Sequence, residues 1–363
     1  MHSVSTGPYL AATTLRRAGA CVALLVAAAS LAAQAGSGAD GQPRWSLGFS
    51  AADMGVLDAG SAVIRTLDTP VREELAHVGA VHVDASPERF LERFRDIVQF
   101  ENGPGIPQIG RFGTPPRVED LASLTLPAAD VSALRACRPG DCDLKLSTAA
   151  MSRFRNDVDW SAPEAMDRAT AVTREMLLDL VRAYQAEGNA ALGSYDDGRE
   201  PLPVAEQFRA LLSRGDPLPA PVPALLTYLD DYPRSRPPGV EDFFYWTVVD
   251  FGLKPTIRVN HVAIYPLEAS APSNVSYAIA IKQLYASHYF FTTLELRFLV
   301  EDDRRAGGRG LSLMTIARSR NDGMTGFKGL FLRPIISRRS REALRGYLEH
   351  VKRQVERPAL PAF

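Results

Sequence analysis

Cysteine is scarce in this chain: three residues in 363, one of them, Cys21, inside an N-terminal apolar run. A scaffold held together by many disulfides is therefore excluded. Charge of one sign is lacking too. The formal net charge is −1, which gives no general attraction for nucleic acid. No apolar run reaches the roughly 20 residues that a membrane-crossing helix needs; the longest, Ala18 to Ala33, is 16 residues. Catalytic signatures are missing as well: there is no Gly-x-Ser-x-Gly elbow, no His-Glu-x-x-His pair and no phosphate loop. No His or Cys set stands at metal-ligand spacing. These absences leave no catalytic residue, metal or cofactor to assign.

What is present fits a folded protein. The apolar fraction is 46% and the charged fraction 23%, ordinary values for a globular chain with a sizeable core. The length suits two domains, or one large domain with an insertion. Proline is plentiful at 26 residues. It clusters at Pro115-Pro116, Pro217 to Pro223 and Pro233 to Pro238, which mark element boundaries.

Residues 1–35 read as a secretory signal peptide: Arg16-Arg17, an apolar stretch, then Ala33-Gln34-Ala35 as the small-x-small cleavage pattern. An uncleaved membrane anchor is the alternative. Cleavage removes two bases and no acid, leaving a net charge of −3 and a periplasmic or secreted protein. Residues 36–70 read as a leader and lead-in. In Cys137-Arg138-Pro139-Gly140-Asp141-Cys142 the central Pro-Gly favours a tight turn. In an oxidising compartment this predicts a Cys137–Cys142 disulfide; a redox-active pair has two intervening residues, not four.

The pattern along the rest of the chain predicts an α+β fold. His77 to Asp84 alternates as a strand. Ser86-Pro87 then caps a short helix with Phe90, Leu91, Phe94, Ile97 and Val98 on one face. The middle, 113–238, reads as helical: Ser161 to Glu187 with a Ser161/Glu164 capping box, then Leu202 to Ser213 and Pro223 to Tyr232. Asp196-Asp197-Gly198 reads as a solvated turn, since the ligand spacing of a calcium loop is missing. From Phe243 onward, β-prone runs at hairpin spacing (to Phe251, then Thr256 to Tyr265, Asn274 to Ala286, Tyr289 to Val300, Leu311 to Arg318) predict an antiparallel meander. Ser337 to Val355 is an amphipathic helix with Leu344, Tyr347, Leu348, Val351 and Val355 on one stripe.

The strand ending in Val-Asp-Ala-Ser-Pro-Glu with its helix, and the ending from Gly326-Phe327-Lys328-Gly329-Leu330 to Tyr347-Leu348-Glu349, resemble the START/polyketide-cyclase-like, or helix-grip, superfamily. The resemblance covers about two fifths of the chain. It implies a curved antiparallel sheet gripping a long C-terminal helix, with 71–112 as the first strand and helix, 113–238 as an inserted helical subdomain carrying the disulfide loop, 239–356 as sheet and C-terminal helix, and 357–363 as a tail. The superfamily includes lipid carriers, so the resemblance implies a cavity for a lipid or other apolar small molecule between sheet and helix.

Lys282, Tyr285, His288 and Tyr289 cluster at a strand end, with Arg258 and His261 on the neighbouring strand. A few such groups in an apolar cavity would orient a ligand; the other reading is that they sit on the rim or surface. His82 and Asp84 share a strand face and, with His261, are the loose candidates for acid–base chemistry. From Gly326 to Glu356 there are eight bases and three acids, a helix able to rest on an anionic membrane or simply to turn its basic face to water. The leading expectation is an extracytoplasmic binding protein for an apolar small molecule, not an enzyme. The alternatives are a cyclase or hydrolase of the same superfamily, or an envelope protein touching the membrane.

Overall fold

The computed structural model describes Gly36–Ser37, Pro43–Arg44 and 48–357, apart from Pro70, 214–221, Phe251, 268–273, 303–309 and Thr325. The proposed signal segment 1–35 and the tail beyond Arg357 lie outside the described residues. Short elements come first. β1 (Gly36–Ser37) pairs with β2 (Pro43–Arg44). α1 (Ala51–Asp58) follows, capped at Ser50: Asp53 N donates to the Ser50 hydroxyl at 3.2 Å and Ser50 N to the Asp53 carboxylate at 2.8 Å. This capping box satisfies donors that a helix start leaves orphaned. β3 (Val63–Leu67) comes next. The stretch expected as a leader thus also supplies a helix and a sheet strand.

β4 (Glu74–Val83) is buried along its whole length. Ser86 caps α2 (Pro87–Arg95), and Asp96 then ends that helix and caps a second one, α3 (Ile97–Glu101). One helical stripe predicted from Phe90 to Val98 is therefore two helices with an Asp between them. β5 (Gln108–Arg111) is short.

The middle block contains α4 (Ala128–Ala136), α5 (Thr148–Asp157) and α6 (Ala165–Glu187). After these come the short pair β6 (Ser194–Tyr195) and β7 (Leu202–Pro203), then α7 (Val204–Ser213) and α8 (Pro223–Asp231). The α6 helix starts later than expected. Ser161 donates its hydroxyl and its amide to Asp159, so it closes a turn upstream and no capping box with Glu164 forms. Cys137 and Cys142 are disulfide-bonded, closing the turn where Arg138 and Asp141 form an isolated bridge.

The five β-prone runs become β8 (Glu241–Val249), β9 (Thr256–Pro266), β10 (Val275–Ala286), β11 (Phe290–Asp302) and β12 (Gly310–Asn321). α9 (Gly326–Glu356) is the last of the described elements, with Pro334 inside it. The fold is α+β. Among the described residues one antiparallel sheet of eight strands runs in the order β3-β4-β12-β11-β10-β9-β8-β5. It is open, with β3 and β5 at its edges. The early strand β4 lies directly beside the last strand β12, with Ser312 opposite His82 and Ala317 opposite His77.

Both faces of the sheet are covered, and alternation along each strand sorts residues between them. One face meets α9, α2 and α3. Val81, Val83, Val262, Ile264, Ile279, Ile281, Leu299 and Leu313 pack there against Phe90, Phe94, Leu344, Leu348, Val351 and Val355. The other face carries Val259, Ala263, Ala280, Leu296, Phe298, Met314 and Ile316, in one core with the residues of α4 to α8. The helical middle thus lies across the sheet from α9. The closest approach of α9 is at Gly79 of β4. A Cβ there would stand 2.8 Å from the Leu348 side chain and 3.3 Å from that of Leu344. Only a glycine lets the helix seat this close.

Candidate functional site

On the α9 side, cross-strand pairing builds polar rows into an otherwise apolar face. Thr247 stands opposite Arg258. Tyr245 stands opposite Asn260, and Asn260 opposite Gln283. Arg297 stands opposite Thr315. Arg297 is 2% exposed and has its charge matched: its Nε donates to Glu295 at 2.7 Å and its two terminal nitrogens to Glu101, at the end of α3, at 3.3 Å. The Tyr347 hydroxyl of α9 donates to the same Glu101 oxygen at 2.7 Å. The guanidinium also lies 4.7 Å over the Tyr347 ring. Burial opposes this charge, but Glu295, Tyr347 and Glu101 hold the Arg297 pKa well above its usual value.

Arg258 differs. It is part-buried at the start of β9 and among the described residues no carboxylate lies within ion-pair distance of it. Its Nε donates to the Gln283 side-chain oxygen at 3.1 Å and an Nη to the Thr293 hydroxyl at 2.9 Å; both partners are neutral. Burial pulls its pKa below the ordinary value, opposed by Tyr245, Glu295 and Glu101 farther off. Beside it, both side-chain atoms of the buried Asn260, the amide nitrogen of Gln283 and the hydroxyl of Thr247 find no protein partner; farther along the same face, beside Arg297, neither does the hydroxyl of Thr315. Buried polar groups are nearly always hydrogen-bonded, so four such atoms, next to a cation held only by neutral groups among the described residues, form a surface able to take a polar, negatively charged group.

The six residues expected to share a cavity are divided by the sheet. Only Arg258 faces α9. His261 and Lys282 are direct partners on β9 and β10 but point to the helical block. Lys282 is fully buried. Its ammonium bonds to Asn189, to the Leu229 carbonyl at 3.0 Å and to the Tyr184 hydroxyl at 3.2 Å, and lies 3.8 Å from the centre of the Phe208 ring. Burial drives its pKa well below normal, with Asp230 opposing. His261 Nδ1 is 3.4 Å from the same Tyr184 hydroxyl and Nε2 is 3.4 Å from Asp242; burial lowers its pKa, opposed by Asp242. Asp242 is held further by Arg236 at 3.0 Å and by the Tyr228 hydroxyl. These groups tie α6, α8 and the sheet together.

Tyr285 faces the same side, after a register shift between Gln283 and Tyr285. It lines a cleft of about 310 Å³ among α5, α6 and β10, with Leu146, Met176, Leu180 and Tyr195. His288 sits beyond the strand end between the Asp143 carbonyl and the Asp130 carboxylate, 3.1 Å from each, and so anchors α4. Tyr289 adopts φ 63° in the turn and accepts from Lys254 N. His82 bonds Ser312 at 2.7 Å and lies 3.5 Å from Asp58. Asp84 falls past the end of β4, its amide held by Glu356, so no His82–Asp84 acid–base pair is built.

Sequence reading missed Asn260, Gln283, Glu101, Glu295, Arg297 and Tyr347. The one signal was the Glu295/Arg297 alternation in a strand otherwise rich in apolar residues. Among the described residues no group of three His, Cys, Asp or Glu could hold a metal ion, and no helix is long and apolar enough to cross a membrane. The chain matches no known protein-family model and no curated protein.

Proposed function

We propose that the protein is an extracytoplasmic binding protein of helix-grip type that holds an amphipathic small molecule between the sheet and α9. The anionic head lies against Arg258, Asn260 and Gln283, and the apolar part enters along the Val262, Ile264, Ile279 and Ile281 face in place of the α2 and α9 side chains that pack on it in this structure. The sheet would curve around α9 in that architecture. The observation that carries the reading is Arg258: a part-buried guanidinium with neutral partners only, beside polar atoms that no protein group satisfies. A charge-assisted hydrogen bond to a buried anion contributes about 1.5–3 kcal/mol, enough to select an acid over a neutral molecule of the same length. The adjacency of β4 to β12 and the seating of α9 on β4 support the helix-grip resemblance.

The test is native mass spectrometry of the purified protein with extraction of bound lipid, followed by titration of a fluorescent fatty acid and of the matching fatty alcohol. The acid should bind at least tenfold more tightly, and Arg258→Gln should remove that preference while leaving the melting temperature within a few degrees. A protein that comes empty and binds neither probe sinks the proposal.

A further inference from the structure

Two apolar side chains in the first half of α9 face outward. Phe331 is 64% and Ile335 47% exposed. They are four residues apart, so they share a helix face. Arg338 and Arg339 continue that face, and Arg339 reaches the loop between β8 and β9: its Nη1 lies 3.8 Å from where a Cβ on Gly252 would stand. Leu253, the next residue in that loop, is 50% exposed. The loop leads straight into β9, so Leu253 is five residues from Arg258 and at the same end of the sheet. Single exposed apolar residues need no account. Here Leu253 follows the glycine that Arg339 reaches, and Phe331 and Ile335 stand on the two turns of α9 before that arginine, at the end of the sheet where β9 begins.

We infer that this end of the molecule docks on an anionic membrane surface. Leu253, Phe331 and Ile335 enter the head-group layer, Arg338 and Arg339 meet lipid phosphates, and the amphiphile bound at Arg258 passes between bilayer and protein there. The last clause rests on the proposed function; the docking does not. Charge complementarity argues for the membrane. Over its whole length α9 carries eight bases and three acids; at this end, among the described residues, Arg338 has only Glu342 at 3.8 Å and Arg339 has no acid within ion-pair distance. A second copy of the chain fits less well. Three side chains fall far short of the roughly 800 Å² that each partner buries in a stable protein interface, but they suffice for a peripheral membrane contact, which adds small apolar insertion to electrostatic attraction.

The test is sedimentation of the full chain with vesicles of phosphatidylcholine alone and of equal parts phosphatidylcholine and phosphatidylglycerol. The protein should bind the anionic vesicles at least about tenfold better, and less so as salt rises. Leu253→Ser with Ile335→Ser should lower that binding about tenfold while leaving the circular dichroism, the melting temperature and the affinity for fatty acid in solution unchanged. Arg258→Gln should do the reverse. If the serine variant sediments like the wild type, or neither sediments, the inference falls. It falls also if the patch instead drives a concentration-dependent dimer that the serine variant abolishes. If vesicle binding follows the patch but no amphiphile binds, the docking stands and the ligand reading fails.

Discussion

The seating of α9 on Gly79 can be tested by a double-mutant cycle. A Cβ at residue 79 would lie 2.8 Å from the Leu348 side chain, whereas carbon atoms pack comfortably at about 3.5–4.0 Å. Gly79→Ala therefore forces the helix or the leucine to give by roughly 1 Å, an overpacking cost of about 1–3 kcal/mol. Replacing glycine in a strand returns roughly 0.5–1 kcal/mol of backbone entropy, so the net loss should be about 1 kcal/mol. Leu348 is fully buried, and Leu348→Ala should cost about 3 kcal/mol through lost burial and the cavity it leaves. In the double variant the new methyl occupies space the leucine vacated, so the two losses should fall short of their sum by 1 kcal/mol or more. Urea unfolding reads this from the midpoints, provided the m-value stays constant. Losses that add to within about 0.5 kcal/mol would mean that the two residues do not touch, and the placement of α9 would be wrong.

Three further outcomes are expected. Burial, with Arg341 nearby, lowers the His77 pKa to about 4 from 6.5. The unfolded chain therefore takes up this proton first: stability is full above pH 6.5 and declines by up to about 3 kcal/mol as pH falls toward 4. His77→Gln should flatten that part of a stability–pH profile; an unchanged slope would clear His77 of the effect. Removing the disulfide with Cys137→Ser and Cys142→Ser should cost about 2 kcal/mol, the modest value proper to a short closed loop, visible as a lower denaturation midpoint. Glu101→Gln leaves the Arg297 guanidinium buried with Glu295 as its one carboxylate, and should destabilise by about 3 kcal/mol; a loss under 1 kcal/mol would show that Glu101 does not hold that charge.

Much of the fold was legible because strand alternation and helical stripes are local. The five strands from β8 to β12 appear within a few residues of their predicted ends. So does α9's buried stripe of Leu344, Leu348, Val351 and Val355. Local patterns also misled. Ser161 reads as an N-cap, but the nearer Asp159 takes its hydroxyl. The stripe from Phe90 to Val98 hides a break at Asp96, which caps as readily as it continues. The candidate site was read poorly for a different reason. In a strand covered on both faces, a polar residue carries no sign of which cover it meets. Lys282, His261 and Arg258 look alike in sequence, yet strand parity sends the first two toward α6 and α8 and the third toward α9. Glu295 and Arg297 would read as solvent-facing but for Glu101 and Tyr347, which come from elements about 200 residues before and 50 after them.

The neighbour relation of β4 and β12 has a consequence for how the molecule can be made. His82 and Ser312, which bond each other, are 230 residues apart in sequence. When synthesis has passed β4 and its β3 partner, the hairpin they form has no sheet to join, since the strand that connects it to β11 is nearly the last to be produced. Pairings between such distant segments form slowly, because a long loop must close before any contact rewards it. The central strands β8 to β11 can pair with their neighbours as they emerge. β12 then inserts between two preformed pieces, and α9 settles over the seam at Gly79. A chain cut short before Gly310 would hold two half-sheets with no strand to join them.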